Sequence, residues 1–144
     1  MAREATGKVG LMRRVPLFDG LTDRQLAQLA RLADELDVPA GKRLATLGET
    51  GREMFIIVSG RASVKTPRGR TVGLGPGDFF GEMSLLDGAA RSANVDADTA
   101  MQLLVVGQRE FWALLAEAPA IGRRLMTTLS KRLRELNAAY SPCA

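Results

Sequence analysis

The period of apolar and polar positions changes twice along this chain, dividing it into three stretches. Residues 1–20 form a lead-in, after which Thr22-Asp23-Arg24-Gln25 fits a capping box, with threonine at the N-cap and glutamine at the third helical position. Leu26, Leu29, Ala30 and Ala33 recur at helical spacing and predict a helix over about 22–34. From about 35 to 107 the pattern breaks into short apolar or alternating runs. The predicted strands are Leu36–Pro39, Arg43–Leu47, Met54–Ser59, Arg61–Lys65, Thr71–Leu74, Ser92–Ala97 and Met101–Val106. Gly60 and Thr66–Arg70 read as hairpin connections, and many short strands at such spacing predict a jelly roll or barrel. Helix returns from 108, where Phe111, Leu114 and Leu115 mark one apolar face. Pro119 interrupts that pattern and fits the first turn of a second helix, whose stripe is Ile121, Leu125, Leu129, Leu133 and Leu136, with Pro142 marking its end.

Composition narrows the function classes. A chain of 144 residues with 46% apolar positions has the size of one domain and the material for a core. Its charge of +4 suits nucleic acid, acidic lipid or a phosphorylated small molecule without choosing among them. The single cysteine, Cys143, cannot form an internal disulfide. The longest apolar run, Met54–Val58, is too short to span a bilayer, and the N-terminus lacks the apolar stretch of a secretory signal, so the expected location is cytoplasmic. There is no histidine, which removes imidazole from any general-base, nucleophile-activating or metal site and leaves only carboxylate chemistry open.

The candidate chemistry lies in Phe79–Val95. A strand ends at Phe80, Gly81 permits a backbone conformation closed to other residues, and Glu82–Leu86 has room for one or two helical turns ended by Asp87-Gly88. A short helix inside a sheet presents free amide donors that favour an anion. Arg91 adds a planar fork that suits phosphate oxygens, and Glu82 is an acceptor suited to a sugar hydroxyl. An isolated glutamate and arginine more often form a structural ion pair; the surrounding pattern is what favours a nucleotide pocket. The glycines do not give G-x-G-x-x-G before a long helix, and no G-K-[ST] occurs, so dinucleotide-fold and P-loop readings fall away.

Phe80-Gly81-Glu82, Leu85-Leu86, Gly88, Arg91-Ser92-Ala93 and Val95 stand in order and at the spacing of the phosphate-binding cassette of cyclic nucleotide-binding domains. The chain resembles that family over about residues 15–137, including Val15–Leu21, Pro39-Ala40-Gly41, Gly48–Gly51, Met54–Gly60 and Gly75–Asp78. It is similar in particular to bacterial members such as the domain of potassium channels and the sensor half of catabolite activator proteins. The resemblance implies an α+β fold in a single domain, 1–144: an antiparallel jelly roll of about eight strands over about 35–107, with an inserted cassette helix. One or two N-terminal helices and two C-terminal helices, the latter over about 108–139, would flank it. It implies that Arg91 clamps a cyclic phosphate and that Glu82 binds the ribose 2′-hydroxyl. Gly81, Met83 and Ser84 would line the ribose–phosphate, and Ser92 and Ala93 would contact phosphate or purine. Val72 and Phe80 belong to the same candidate set, and Leu133 or Leu136 would cap the base from the last helix. The ligand implied is cAMP or cGMP, with no cofactor and no metal.

The leading functional expectation is a regulatory binding module that catalyses nothing and converts ligand binding into movement of its C-terminal helices, with Ala118-Pro119 as hinge. An effector domain or partner protein would receive that movement, and the leucine stripe admits a homodimer. The alternative is the sensor portion of a catabolite-activator-like transcription regulator without its DNA-binding part, because Ala138–Ala144 are too few for a helix-turn-helix. Direct nucleic-acid binding is therefore not expected. A jelly-roll enzyme of the metal-dependent cupin kind would need histidine ligands that the chain lacks.

Overall fold

The computed structural model describes residues 7–140, with side chains through Glu135. Leu136, Pro142 and Cys143 lie outside the described residues, Leu136 by its side chain. In chain order the elements are helix α1 (Lys8–Arg13), a 3-10 turn (Pro16–Phe18) and helix α2 (Asp23–Ala30). Strands β1 (Asp34–Val38), β2 (Arg43–Ala45), β3 (Glu53–Ser59), β4 (Ala62–Lys65), β5 (Thr71–Leu74) and β6 (Phe79–Phe80) follow. Helix α3 (Glu82–Asp87) precedes β7 (Asn94–Ala97) and β8 (Met101–Gly107), and helices α4 (Gln108–Glu117) and α5 (Pro119–Tyr140) close the described chain. The strands form two antiparallel four-stranded sheets in the orders β1-β8-β3-β6 and β2-β7-β4-β5. This is the α+β jelly roll that the resemblance implies.

Side-chain alternation explains why β3 and β8 are apolar throughout. Successive strand residues point to opposite faces. In β3, Met54, Ile56 and Val58 join one buried cluster with the helices, while Phe55 and Ile57 join a second cluster between the sheets. In β8, Leu104 and Val106 take the helix side, and Met101 and Leu103 take the inner side. Phe111 and Leu114 of α4 and Ile121 and Leu125 of α5 complete the helix-side core. Burying each large aliphatic or aromatic side chain contributes about 1.5–3 kcal/mol, so the two clusters together dominate the stability of the fold.

The structure corrects several expectations. The lead-in contains α1 and the 3-10 turn, and it buries Met12, Val15, Leu17 and Phe18. Those elements are too short to show a helical period. The capping box at Thr22 and Gln25 is present, but α2 ends at Ala30, and Ala33 reaches the core from beyond the helix. Thr66–Arg70 is the hairpin loop between β4 and β5, closed by the Thr66 N–H donating to the Arg70 carbonyl at 2.9 Å. Gly60 is not a hairpin turn: β3 and β4 lie in different sheets. At φ +92° it turns the chain across the sandwich, packed so closely on Met101 that a Cβ would stand 2.9 Å from its Cα. Periodicity locates strands; it carries no information on which sheet each one joins. Among the described residues no helix is long and apolar enough to cross a membrane.

Candidate functional site

Arg91 is built into the fold rather than projected from it. The turn before β3 holds its backbone: Gly48 N–H donates to the Arg91 carbonyl at 2.9 Å, and Arg91 N–H donates to the Glu49 carbonyl at 2.8 Å. Its guanidinium donates through Nη1 to the Gly81 carbonyl at 2.9 Å and through Nη2 to the Glu53 carbonyl at 2.7 Å. The residue is 8% exposed. Two glycines leave space for it. A Cβ on Gly51 would stand 2.5 Å from Arg91 Cζ, and one on Gly81 would stand 2.6 Å from Nη1. Burial lowers the guanidinium's proton affinity, while the charges of Glu53 and Glu82 raise it; arginine keeps its proton under these conditions.

Gly81 has φ +90°, caps α3 with no side-chain hydrogen bond, and hands the chain from β6 to the helix. Glu82 follows as the first helical residue and is buried. Its carboxylate accepts from Arg132 Nη1 of α5 at 3.0 Å. Arg132 Nη2 donates to the Phe79 carbonyl at 2.8 Å, and its guanidinium lies 4.7 Å from the centroid of the Phe79 ring. Burial pushes the Glu82 carboxyl above its ordinary value of 4.5, against the backbone hydrogen bond and the Arg132 and Arg91 charges that pull it down. A carboxyl whose folded-state pKa is raised stabilises the fold fully below about pH 4.5 and loses that contribution as pH rises through the raised pKa. The stability of the wild type relative to Glu82→Gln is therefore expected to fall as pH rises above about 4.5, measured as the difference in urea midpoints. A flat difference contradicts the burial effect.

Beside these residues lies a cavity of about 490 Å³, within the ~300–1,000 Å³ of small-ligand sites. Phe80, Gly81, Glu82, Met83, Ser84, Arg91, Ser92, Ala93 and Val72 all line it. The cassette residues form one wall, and Val72 lies on the wall made by β4, β5 and their hairpin, with Val64 and Arg70. Leu133 does not reach the cavity; it is 59% exposed on another face of α5. The helix face that lines the cavity carries Thr128, Lys131, Arg132 and Glu135 instead.

That face was not legible as a site. The apolar stripe draws attention to the core side, and Ile121 and Leu125 do bury there. The signal lay next to it, in polar residues at helical spacings of three, one and three. Of the five cations of α5, Arg123, Lys131 and Arg134 are exposed. Arg132 is only a third exposed and is bonded to Glu82, and Arg124 Nη1 donates to the Leu17 carbonyl at 2.7 Å, tying α5 to the 3-10 turn. Among the described residues no group of histidine, cysteine, aspartate and glutamate is placed to hold a metal ion.

The family model of the cyclic nucleotide-binding domain matches residues 35–118, more than half of the chain and the whole of the sandwich beyond Asp34. The chain belongs to the cyclic nucleotide-binding domain family. A cyclic nucleotide-gated potassium channel of Mesorhizobium japonicum is 40% identical over 122 residues, 85% of this chain and 34% of the channel. The cyclic AMP receptor protein of Thermus thermophilus is 34% identical over 129 residues, 86% of this chain and 60% of the receptor. The crystal structure of the Thermus thermophilus catabolite activator protein superposes with a TM-score of 0.77 at 31% identity, covering 88% of this cyclic nucleotide-binding domain and 62% of that chain. The chain thus spans about a third of the channel and three-fifths of the receptor.

Proposed function

We propose that this chain folds as one domain and binds a 3′,5′-cyclic nucleotide in the cavity beside Arg91, as a regulatory module that performs no catalysis. The observation that carries the reading is the placement of a cation and an acceptor on the same cavity wall. Arg91 is fixed by two backbone carbonyls, which leaves the rest of its fork for an anionic phosphate. Glu82, one residue beyond the Gly81 turn, supplies an acceptor for a ribose hydroxyl. Gly81, Met83, Ser84, Ser92 and Ala93 surround the sugar–phosphate end, and Val72 and the residues of α5 face the base.

The output is movement of α4 and α5. Ala118 between them leaves helical geometry, with φ −134° and ψ 84°, so the two helices meet at a break rather than as one rod. A ligand moves such a joint only through its differential affinity for the two arrangements. An effector domain or partner protein attached to or resting on α5 receives that movement. The relatives include a potassium channel and a receptor whose name specifies cyclic AMP, which favours cAMP over cGMP as the ligand. Coverage of three-fifths of that receptor supports a second reading, the sensor portion of a transcription regulator of the same kind.

Thermal unfolding tests the binding reading. A ligand at a hundred times its dissociation constant stabilises the folded state by about 2.7 kcal/mol. Millimolar cAMP or cGMP is expected to raise the midpoint by several degrees, and 5′-AMP, which has no cyclic phosphate, by far less. Equal effects of cyclic and linear nucleotides would show that the cavity does not select a cyclic phosphate.

A further inference from the structure

We propose that Met83 is a site of oxidation by peroxide, whose sulfoxide weakens ligand binding and which a bound ligand shields. The inference rests on the reading of the cavity as a cyclic nucleotide site. The chain has six methionines. Met12, Met54 and Met101 are buried, and Met1 lies outside the described residues. Among the described residues that leaves Met83, 54% exposed, and Met126, 62% exposed. Met83 lines the cavity and Met126 does not. The local fold explains why Met83 is open. Glu82, Ser84 and Leu85 of α3 are buried, while Met83 and Leu86, three residues apart, share the side that turns outward. A residue that both lines the cavity and is half open to solvent stands at its mouth. A small oxidant reaches it there, and a ligand in the cavity covers it.

The step is a two-electron oxidation. A lone pair on the Met83 sulfur attacks one oxygen of hydrogen peroxide, and the S–O bond forms as the O–O bond breaks. The proton of the transferred hydroxyl passes to the departing hydroxide, which leaves as water. The thioether becomes a sulfoxide, and methionine sulfoxide reductases reverse the change. The product puts a polar, chiral group with a strong acceptor oxygen where a flexible apolar end stood. At the sugar–phosphate end of the cavity that oxygen has two sets of neighbours. The ligand's own phosphate and ribose oxygens repel it. The donors of Arg91, Lys131 and Arg132, which line the same cavity, are drawn to it and away from the ligand. Both effects weaken binding. Shielding is a separate consequence, because a filled cavity blocks the approach of peroxide to the sulfur. Met126, exposed on α5 away from the cavity, has neither property and serves as the internal reference.

The test is brief treatment of the folded chain with hydrogen peroxide, with Cys143→Ser in every protein so that the thiol takes no part. Peptide mass spectrometry reads the added oxygen at Met83 and at Met126. Saturating cAMP is expected to slow the reaction at Met83 by about tenfold or more and to leave that at Met126 within about twofold. Calorimetric titration of the oxidised protein is expected to show cAMP binding at least about fivefold weaker, and methionine sulfoxide reductases are expected to restore it. Met126→Leu keeps this response to peroxide. Met83→Leu abolishes it: whatever affinity that variant has, peroxide changes it by less than about twofold. Three results overturn the proposal and leave the cavity reading intact: oxidation of Met126 without Met83, equal rates at Met83 with and without bound cAMP, or undiminished affinity once Met83 is oxidised. Absence of cAMP and cGMP binding before any peroxide is added overturns the cavity reading, and the proposal with it.

Discussion

Arg91→Ala is expected to weaken cyclic nucleotide binding by about a hundredfold. A charge-assisted hydrogen bond contributes about 1.5–3 kcal/mol, and a guanidinium facing a phosphate makes two in fork geometry. The lower end of that range, taken twice, already corresponds to about two orders of magnitude in the dissociation constant. The substitution also deprives the Gly81 and Glu53 carbonyls of their donor, so some loss of stability accompanies the loss of binding. Arg91→Lys separates the two effects. An ammonium can satisfy one carbonyl but cannot bridge Gly81, Glu53 and a phosphate together. It should retain most of the fold and still lose at least about tenfold in affinity. Titration well below the unfolding midpoint, with circular dichroism to verify the fold, reads both. Wild-type affinity in Arg91→Lys would show that the fork geometry is irrelevant.

Gly81→Ala is expected to cost about 3 kcal/mol of stability, the larger of the two glycine effects worth measuring. A non-glycine residue forced to φ +90° costs about 1–3 kcal/mol. The new Cβ also meets two atoms, Arg91 Nη1 at 2.6 Å and the Glu53 carbonyl oxygen at 2.8 Å. The guanidinium can swing away, at the expense of the ligand site. The carbonyl is backbone at the start of β3 and cannot move without disturbing the strand. Gly88→Ala is the control, because Gly88 has φ +71° but nothing within 4 Å of its Cβ position. It should cost only about 1 kcal/mol, from the backbone alone. The comparison is a pair of urea titrations. Equal costs at the two positions would mean that the packing of Gly81 on Arg91 and Glu53 carries no energy.

The sandwich was legible in the sequence because its strands bury alternate residues on two different cores, which makes β3 and β8 read as unbroken apolar runs. The cassette was legible because its chemistry is local: Gly81, Glu82 and Arg91 lie within eleven residues, and one turn, one helix and one strand bring them together. What escaped was non-local. Gly60 marks a turn in sequence, but only the sheet order shows that the chain crosses the sandwich there. Gly51 looks like an ordinary turn residue until Arg91, forty positions later, is found packed on it. Arg132 is one of five cations along α5, and nothing in its sequence neighbours reveals a carboxylate 50 positions earlier. Leu133 was favoured as a cap for its apolarity, yet the helix rotates it out to solvent and offers the cavity Thr128, Lys131 and Glu135.

The central claim is that the cavity beside Arg91 and Glu82 holds a cyclic nucleotide, and isothermal titration of the wild-type chain with cAMP and cGMP tests it most directly. The account predicts saturable binding of at least one of them at one site per chain, with cAMP the tighter. No heat from either ligand, added to protein that circular dichroism shows to be folded, would contradict it.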